Sequence, residues 1–86
     1  MTANQIKQVV HDYEKIFSKV TAKTFAADAH PSPEEKKQHI AHMLLQIDYM
    51  VETGKLEKAF RWLGFIQGYL WSNDMSTIPD LKKSNQ

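Results

Sequence analysis

Apolar residues fall into three stretches with helical spacing. In the first, Ile6, Val9, Val10, Tyr13, Phe17 and Val20 recur at steps of three and four, with Ile16 beside them. Such steps place the side chains on one face of a helix, predicted here over about Ala3 to Ala22. Thr2 and Gln5 have the spacing of a capping box at its start. The second stretch, Ile40, Met43, Leu44, Ile47, Met50 and Val51, predicts a helix from Pro33 to about Glu52. Ser32 is placed to cap it, Pro33 suits the first turn, and Glu35 can reach back to the cap. Glu34 and Glu35 also favour the positive end of the helix dipole. Thr53-Gly54 ends the helix, with glycine supplying a left-handed stop.

The third stretch predicts a helix from Lys55 to about Ser72. "SNDMS" breaks it, and Thr77-Ile78-Pro79-Asp80 reads as the cap of a short final helix through about Lys83. Ile78 and Leu81 are its expected anchors, and Ser84 to Gln86 are expected to fray. Between the first and second helices, "TFAADAHPSPEE" has two prolines and no period, so it is a connection, with Phe25 tucked against the core. There is no repeat and no β-alternation. The prediction is an all-α, small three-helix domain spanning residues 1–86. Helix 1 packs on an antiparallel helix 2–helix 3 hairpin, and a short C-terminal helix follows.

The third helix is unusual. At about 100° per residue, its apolar residues Leu56, Ala59, Phe60, Trp62, Leu63, Phe65, Ile66, Tyr69, Leu70 and Trp71 cover roughly 240° of the circumference. A helix on the outside of a small bundle needs only roughly 100–150°. This one is therefore either central or covered by another subunit. The remaining strip holds Glu57, Arg61, Gly64, Gly68 and Ser72, with Phe60 and Trp71 on one flank and Phe65 on the other. Each glycine weakens a helix interior by about 0.8–1 kcal/mol relative to alanine. Two of them on a polar strip point to something that approaches the bare backbone closely. Helix 1 of the same chain, a second subunit and a small ligand all fit that description. A methyl group at Gly68 is expected to cost stability or assembly, and more so than at Gly64.

Composition narrows the functional classes. A chain of 86 residues buries only roughly 60–65% of its unfolded surface and often gains stability by oligomerising. There is no cysteine, which excludes a disulfide scaffold, a thiolate zinc site and a cysteine nucleophile. The N-terminus is polar and no apolar run is long enough to span a membrane, so a cytoplasmic protein is expected. Net charge is +1, with acids and bases interspersed, which argues against a general nucleic-acid binder. Lys15, Lys19 and Lys23 form a row at four-residue spacing, read as a solvated helix face.

Arg61-Trp62-Leu63-Gly64-Phe65-Ile66-Gln67-Gly68, with Leu70-Trp71 after one variable position, resembles a signature of small uncharacterised proteins of tailed bacteriophages. There too, a stretch like Thr77-Ile78 and then Asp80-Leu81-Lys82 follows. The likeness covers about Lys55 to Asn85; the N-terminal helices carry none of it. This chain has Tyr69 at the variable position and a more polar "SNDMS" loop. The resemblance implies a phage origin, an all-helical fold and a place in the bacterial host cytoplasm. It implies no activity.

Other candidate chemistry is thin. Glu35, His39 and His42 share a helix face, but nothing comparable sits on a second helix, so no metal site is assigned. No cofactor motif, phosphate loop or paired carboxylates in a pocket appear, which argues against an enzyme. Arg61 and Trp62 point to different sides of their helix and form no single platform for a base. The expectation is a phage accessory protein that acts by binding a bacterial host protein, itself as a homo-oligomer, or both. The contact residues would be Glu57, Phe60, Arg61, Gly64, Phe65, Gly68, Trp71 and Ser72. The alternative is a small-ligand protein of anti-defence type that sequesters a nucleotide signal, with Arg61 holding the anion and aromatic walls the base.

Overall fold

The computed structural model describes residues 2–26 and 30–84. The chain forms α1 (Ala3–Ile16), α2 (Pro33–Glu52), α3 (Leu56–Ser72) and α4 (Ile78–Ser84). No strand occurs among the described residues. Ala27 to Ala29 of the predicted connection, and Asn85 and Gln86 of the predicted frayed end, lie outside them, as does the side chain of the expected anchor Ile78.

The helix starts follow the capping chemistry. The Thr2 hydroxyl accepts from the Gln5 N–H at 3.2 Å, and the Gln5 side chain accepts from the Thr2 N–H at 2.7 Å. Ser32 and Glu35 repeat the arrangement at 3.2 and 3.1 Å. The Ser32 backbone and hydroxyl hold the Glu35 carboxyl below its usual range. That cap stabilises the fold above the ordinary glutamate pKa and is lost as pH falls through the lowered one. Thr77 and Asp80 cap α4 in the same way.

The ends of α2 and α3 share a second device. Gly54, at φ 79°, follows the Thr53 C-cap; the Lys55 N–H donates to the Met50 carbonyl at 2.8 Å and the Gly54 N–H to Val51 at 3.3 Å. This is a Schellman turn, and it leaves room only for a tight reversal into α3. At the other end of α3, Asp74 takes the left-handed position at φ 58°, and the Met75 N–H donates to the Leu70 carbonyl at 2.8 Å. An aspartate tolerates that conformation at a cost that glycine would not incur.

The first helix is shorter than its stripe predicts. It stops at Ile16, and Phe17 to Val20 form tight turns closed by i→i+3 bonds. Ser18, Val20, Thr21 and Thr24 are weak helix formers, and the chain instead lays the Lys23 N–H on the Gln38 carbonyl of α2 at 3.1 Å. Phe17 still reaches the core from the turn. The lysine row dissolves as a consequence. Lys19 and Lys23 leave the helix, Lys15 lies 3.9 Å from Asp12, and the Lys23 ammonium sits over the Phe25 ring at 5.3 Å.

The core is one cluster of Ile6, Val9, Val10, Tyr13 and Phe17, the whole α2 stripe, and Ala59, Leu63, Ile66 and Leu70. α1 packs on both α2 and α3. Its contacts with α3 include the Gln67 amide donating to the Tyr13 hydroxyl at 3.1 Å and Phe17 against Tyr69, ring centres 6.4 Å apart. The middle position belongs to α2, which packs more extensively on each of the other long helices than they pack on one another. α3 is therefore not the central helix.

Where α1 crosses α2, Glu14 faces Asp48. Burial, then the hydrogen bond and repulsion from Asp48, raise the Glu14 pKa, with His11 opposing. A raised carboxyl pKa means stability falls as pH rises through the window above the unfolded value. Glu14→Gln is expected to raise the melting temperature at pH 7 by about 2 °C, since screened like charges cost a few tenths of a kcal/mol. The gain should shrink at pH 5. Thermal melts at the two pH values check this; an equal gain at both would show that the pair is not the cause.

Candidate functional site

The inner and outer sides of α3 differ sharply. Ala59, Leu63, Ile66 and Leu70 face the core, and Leu56, Trp62 and Tyr69 pack at its edges. The Trp62 ring is partly covered by the Lys58 ammonium, 5.5 Å from its centre. Glu57, Phe60, Arg61, Gly64, Phe65, Gly68, Trp71 and Ser72 are all exposed. At about 100° per residue they occupy one continuous arc of roughly 140°. The aromatic members are the unusual ones: Phe60 is 37% exposed, Phe65 62% and Trp71 54%.

Helix 1 does not cover the glycines. Beyond its own turns of helix, a Cβ built on Gly64 or Gly68 meets no atom of the described residues within 4 Å. This corrects the intramolecular reading of the strip and has a geometric cause. α1 meets α3 through Gln67 and Tyr69, which leave the glycines facing away from it. Of the three occupants that fitted the bare strip, a second subunit and a ligand remain.

Charge on the arc is sparse and balanced. Glu57 and Arg61 stand one turn apart without forming an ion pair, unlike Lys7 with Glu52 and Lys15 with Asp12. Beside the arc runs an open groove of about 560 Å³, in which Gly64, Gly68 and Ser72 face Pro33 and Lys36 of α2. Phe65, Tyr69 and Lys36 also border a more apolar hollow of about 330 Å³, walled by Phe25, His39 and Ile40. Burial raises the Tyr69 pKa, with Glu34 adding to the effect, so its hydroxyl is a neutral donor there at physiological pH.

The two histidines of the α2 face lie close together. His39 and His42 lie with ring centres 6.3 Å apart, and Phe25 packs on His39 at 6.2 Å. Among the described residues, no three His, Asp or Glu side chains are grouped to hold a metal ion. His39 Nδ1 is buried and without a hydrogen-bond partner.

No protein-family model, curated protein or solved structure matches this chain. No helix among the described residues is long and apolar enough to cross a membrane.

One exposed feature was missed by the sequence reading. Leu45 and Tyr49, 52% and 59% exposed, stand one turn apart on the outer side of α2. Their spacing of four, off the main stripe, was the available signal.

Proposed function

We propose that this chain is a phage accessory protein that acts by binding through the outer arc of α3, and not by catalysis. One observation carries the reading: three exposed aromatics surround two helix-interior glycines that none of the described residues covers. Three large aromatics exposed together on one helix face form a patch of the kind that marks an interaction site. Glycines there let a partner approach the backbone, which a lysine or glutamate would prevent. The partner is a bacterial host protein, a further copy of this chain, or both. The phage origin and the host cytoplasm rest on the resemblance of Arg61 to Gly68.

Tagged protein in bacterial lysate tests this. Phe65→Glu sits on the arc and away from the core, so the fold should persist by circular dichroism while capture and self-association fall. A wild-type chain that stays monomeric by light scattering and retains no partner would remove the reading.

The groove beside Gly64 and Gly68 favours a second reading, in which the arc and groove hold a small anionic aromatic ligand of the nucleotide-signal class. Lys36 supplies a cation within the groove and Phe65 and Tyr69 its walls, while Arg61 stands on the arc outside the groove. Ligand at 100 times its dissociation constant adds about 2.7 kcal/mol to stability. A nucleotide panel that leaves the melting temperature unmoved counts against it.

A further inference from the structure

Resting on the reading of this arc as a contact face, we propose that its occupant is a second copy of the chain. A two-fold axis crosses α3 level with Ile66 and sets the two α3 helices antiparallel. A two-fold contact needs a face complementary to its own reversal, because residue i meets residue j while j meets i. The outer arc has that property. Gly64 and Gly68 lie two residues to either side of Ile66, Arg61 and Trp71 five, Phe60 and Ser72 six.

Reversal about that point lays Gly64 of one copy on Gly68 of the other. The open space over both glycines admits a helix backbone there. Phe60 and Trp71 share one flank of the arc, so Phe60 of each copy falls beside Trp71 of the other as an aromatic pair. Arg61 and Ser72 share the opposite flank and meet in the same way. The two Phe65 rings approach each other near the axis. Aromatic residues thus face aromatic ones in the Phe60–Trp71 and Phe65 pairs, Arg61 faces the small Ser72, and bare backbone faces bare backbone in the middle.

Charge and area agree with this occupant. Glu57 and Arg61 are the charged residues of the arc, and they are of opposite sign, so a copy meets no net repulsion; a nucleic acid would find no basic surface. At their fractional exposures, the three aromatics present roughly 300 Å² per chain. Two copies supply roughly 600 Å² from aromatics alone, and the glycine backbone, Arg61 and Ser72 extend this toward the ~1,000 Å² where specific interfaces begin. The dimer is therefore of the weak, concentration-dependent kind. The Leu45–Tyr49 pair on α2 is smaller and has no such internal symmetry.

The chain has no cysteine, so introduced thiols report without background. Arg61→Cys and Ser72→Cys proteins are mixed at high micromolar concentration under mild oxidation. The mixture is expected to give a disulfide between the two variants. Either protein alone should give little, because same-residue pairs sit about 15 Å or more apart along the axis, against the ~7 Å limit for bridging. Sedimentation equilibrium then compares wild type with Gly68→Leu, whose dimer dissociation constant should rise about tenfold or more while its helix content is unchanged. Same-residue disulfides, assembly unaltered by Gly68→Leu, or a strictly monomeric wild type each overturn the proposal. If the monomeric wild type still captures a lysate protein that Phe65→Glu does not, only the second copy is rejected. Equal capture by both rejects the contact face as well.

Discussion

Leu44→Ala is expected to leave much of the chain unfolded at 37 °C. Leu44 is fully buried on α2, the helix that packs against both other long helices. Truncating such a leucine removes its transfer energy and leaves a cavity, together about 2–5 kcal/mol. A chain of 86 residues has roughly 4–13 kcal/mol in total. At about 4–8 °C per kcal/mol for a domain this small, a loss of ~3 kcal/mol lowers the melting temperature by roughly 12–24 °C. Melting followed by circular dichroism at 222 nm measures it. A fall of only a few degrees would show that the neighbours collapse into the space, or that α2 is not the centre of the packing.

The double substitution Gly64→Ala with Gly68→Ala is expected to act in opposite directions on the monomer and on its complexes. In the isolated chain each methyl enters open space, and each alanine improves helix propensity by up to about 1 kcal/mol. Dilute protein should therefore melt higher, by roughly 8 °C or more for the pair. The sequence alone led us to expect a loss of stability or of assembly; with no described residue against either glycine, the expected loss falls on assembly and not on the isolated chain. At concentrations where the wild type is bound to a partner, the two methyls sit where a helix must approach, and overpacking costs about 1–3 kcal/mol. Binding should weaken while the monomer gains. A variant that melts higher and binds as the wild type does would leave the glycines without a role in contact.

Much of the architecture was legible because three levels of signal agreed. The α2 stripe, the Ser32–Glu35 capping box and Gly54 each name the same helix, and its observed bounds follow them. α1 misled because the stripe continues through Phe17 and Val20. Periodicity registers burial, and Phe17 is buried from a turn as fully as it would be from a helix. The weak helix propensity after Ile16 was the competing signal, and it prevailed once Lys23 found a carbonyl on α2. Asp74 was hidden for another reason: an aspartate in the left-handed position looks like any loop aspartate in a sequence. For the arc, helical geometry alone grouped its eight residues, and all eight prove exposed. What lay against the glycines depended on which side of α3 α1 would choose, and no local pattern encodes a choice between two packing faces. Glu14 and Asp48 were invisible together because 34 residues separate them and only the crossing of α1 over α2 brings them face to face.

The Schellman turn at Gly54 sets an order of assembly. α2 and α3 are joined by a reversal so short that their pairing closes almost no loop, whereas α1 must return across a connection running from Phe17 to Ser32. Local pairings form early because little chain entropy is lost in making them. The hairpin is thus the kinetic seed, and α1 docks last onto a groove already built. By the same logic α1 is the first element to leave. Amide exchange should be faster along Ala3 to Ile16 than along the buried turns of α2, through openings that leave the hairpin paired. Uniform protection across all three helices would instead mean that they come and go together. An α1 that detaches alone carries a further consequence: one copy can lend its first helix to another, exchanging a segment without altering a single contact.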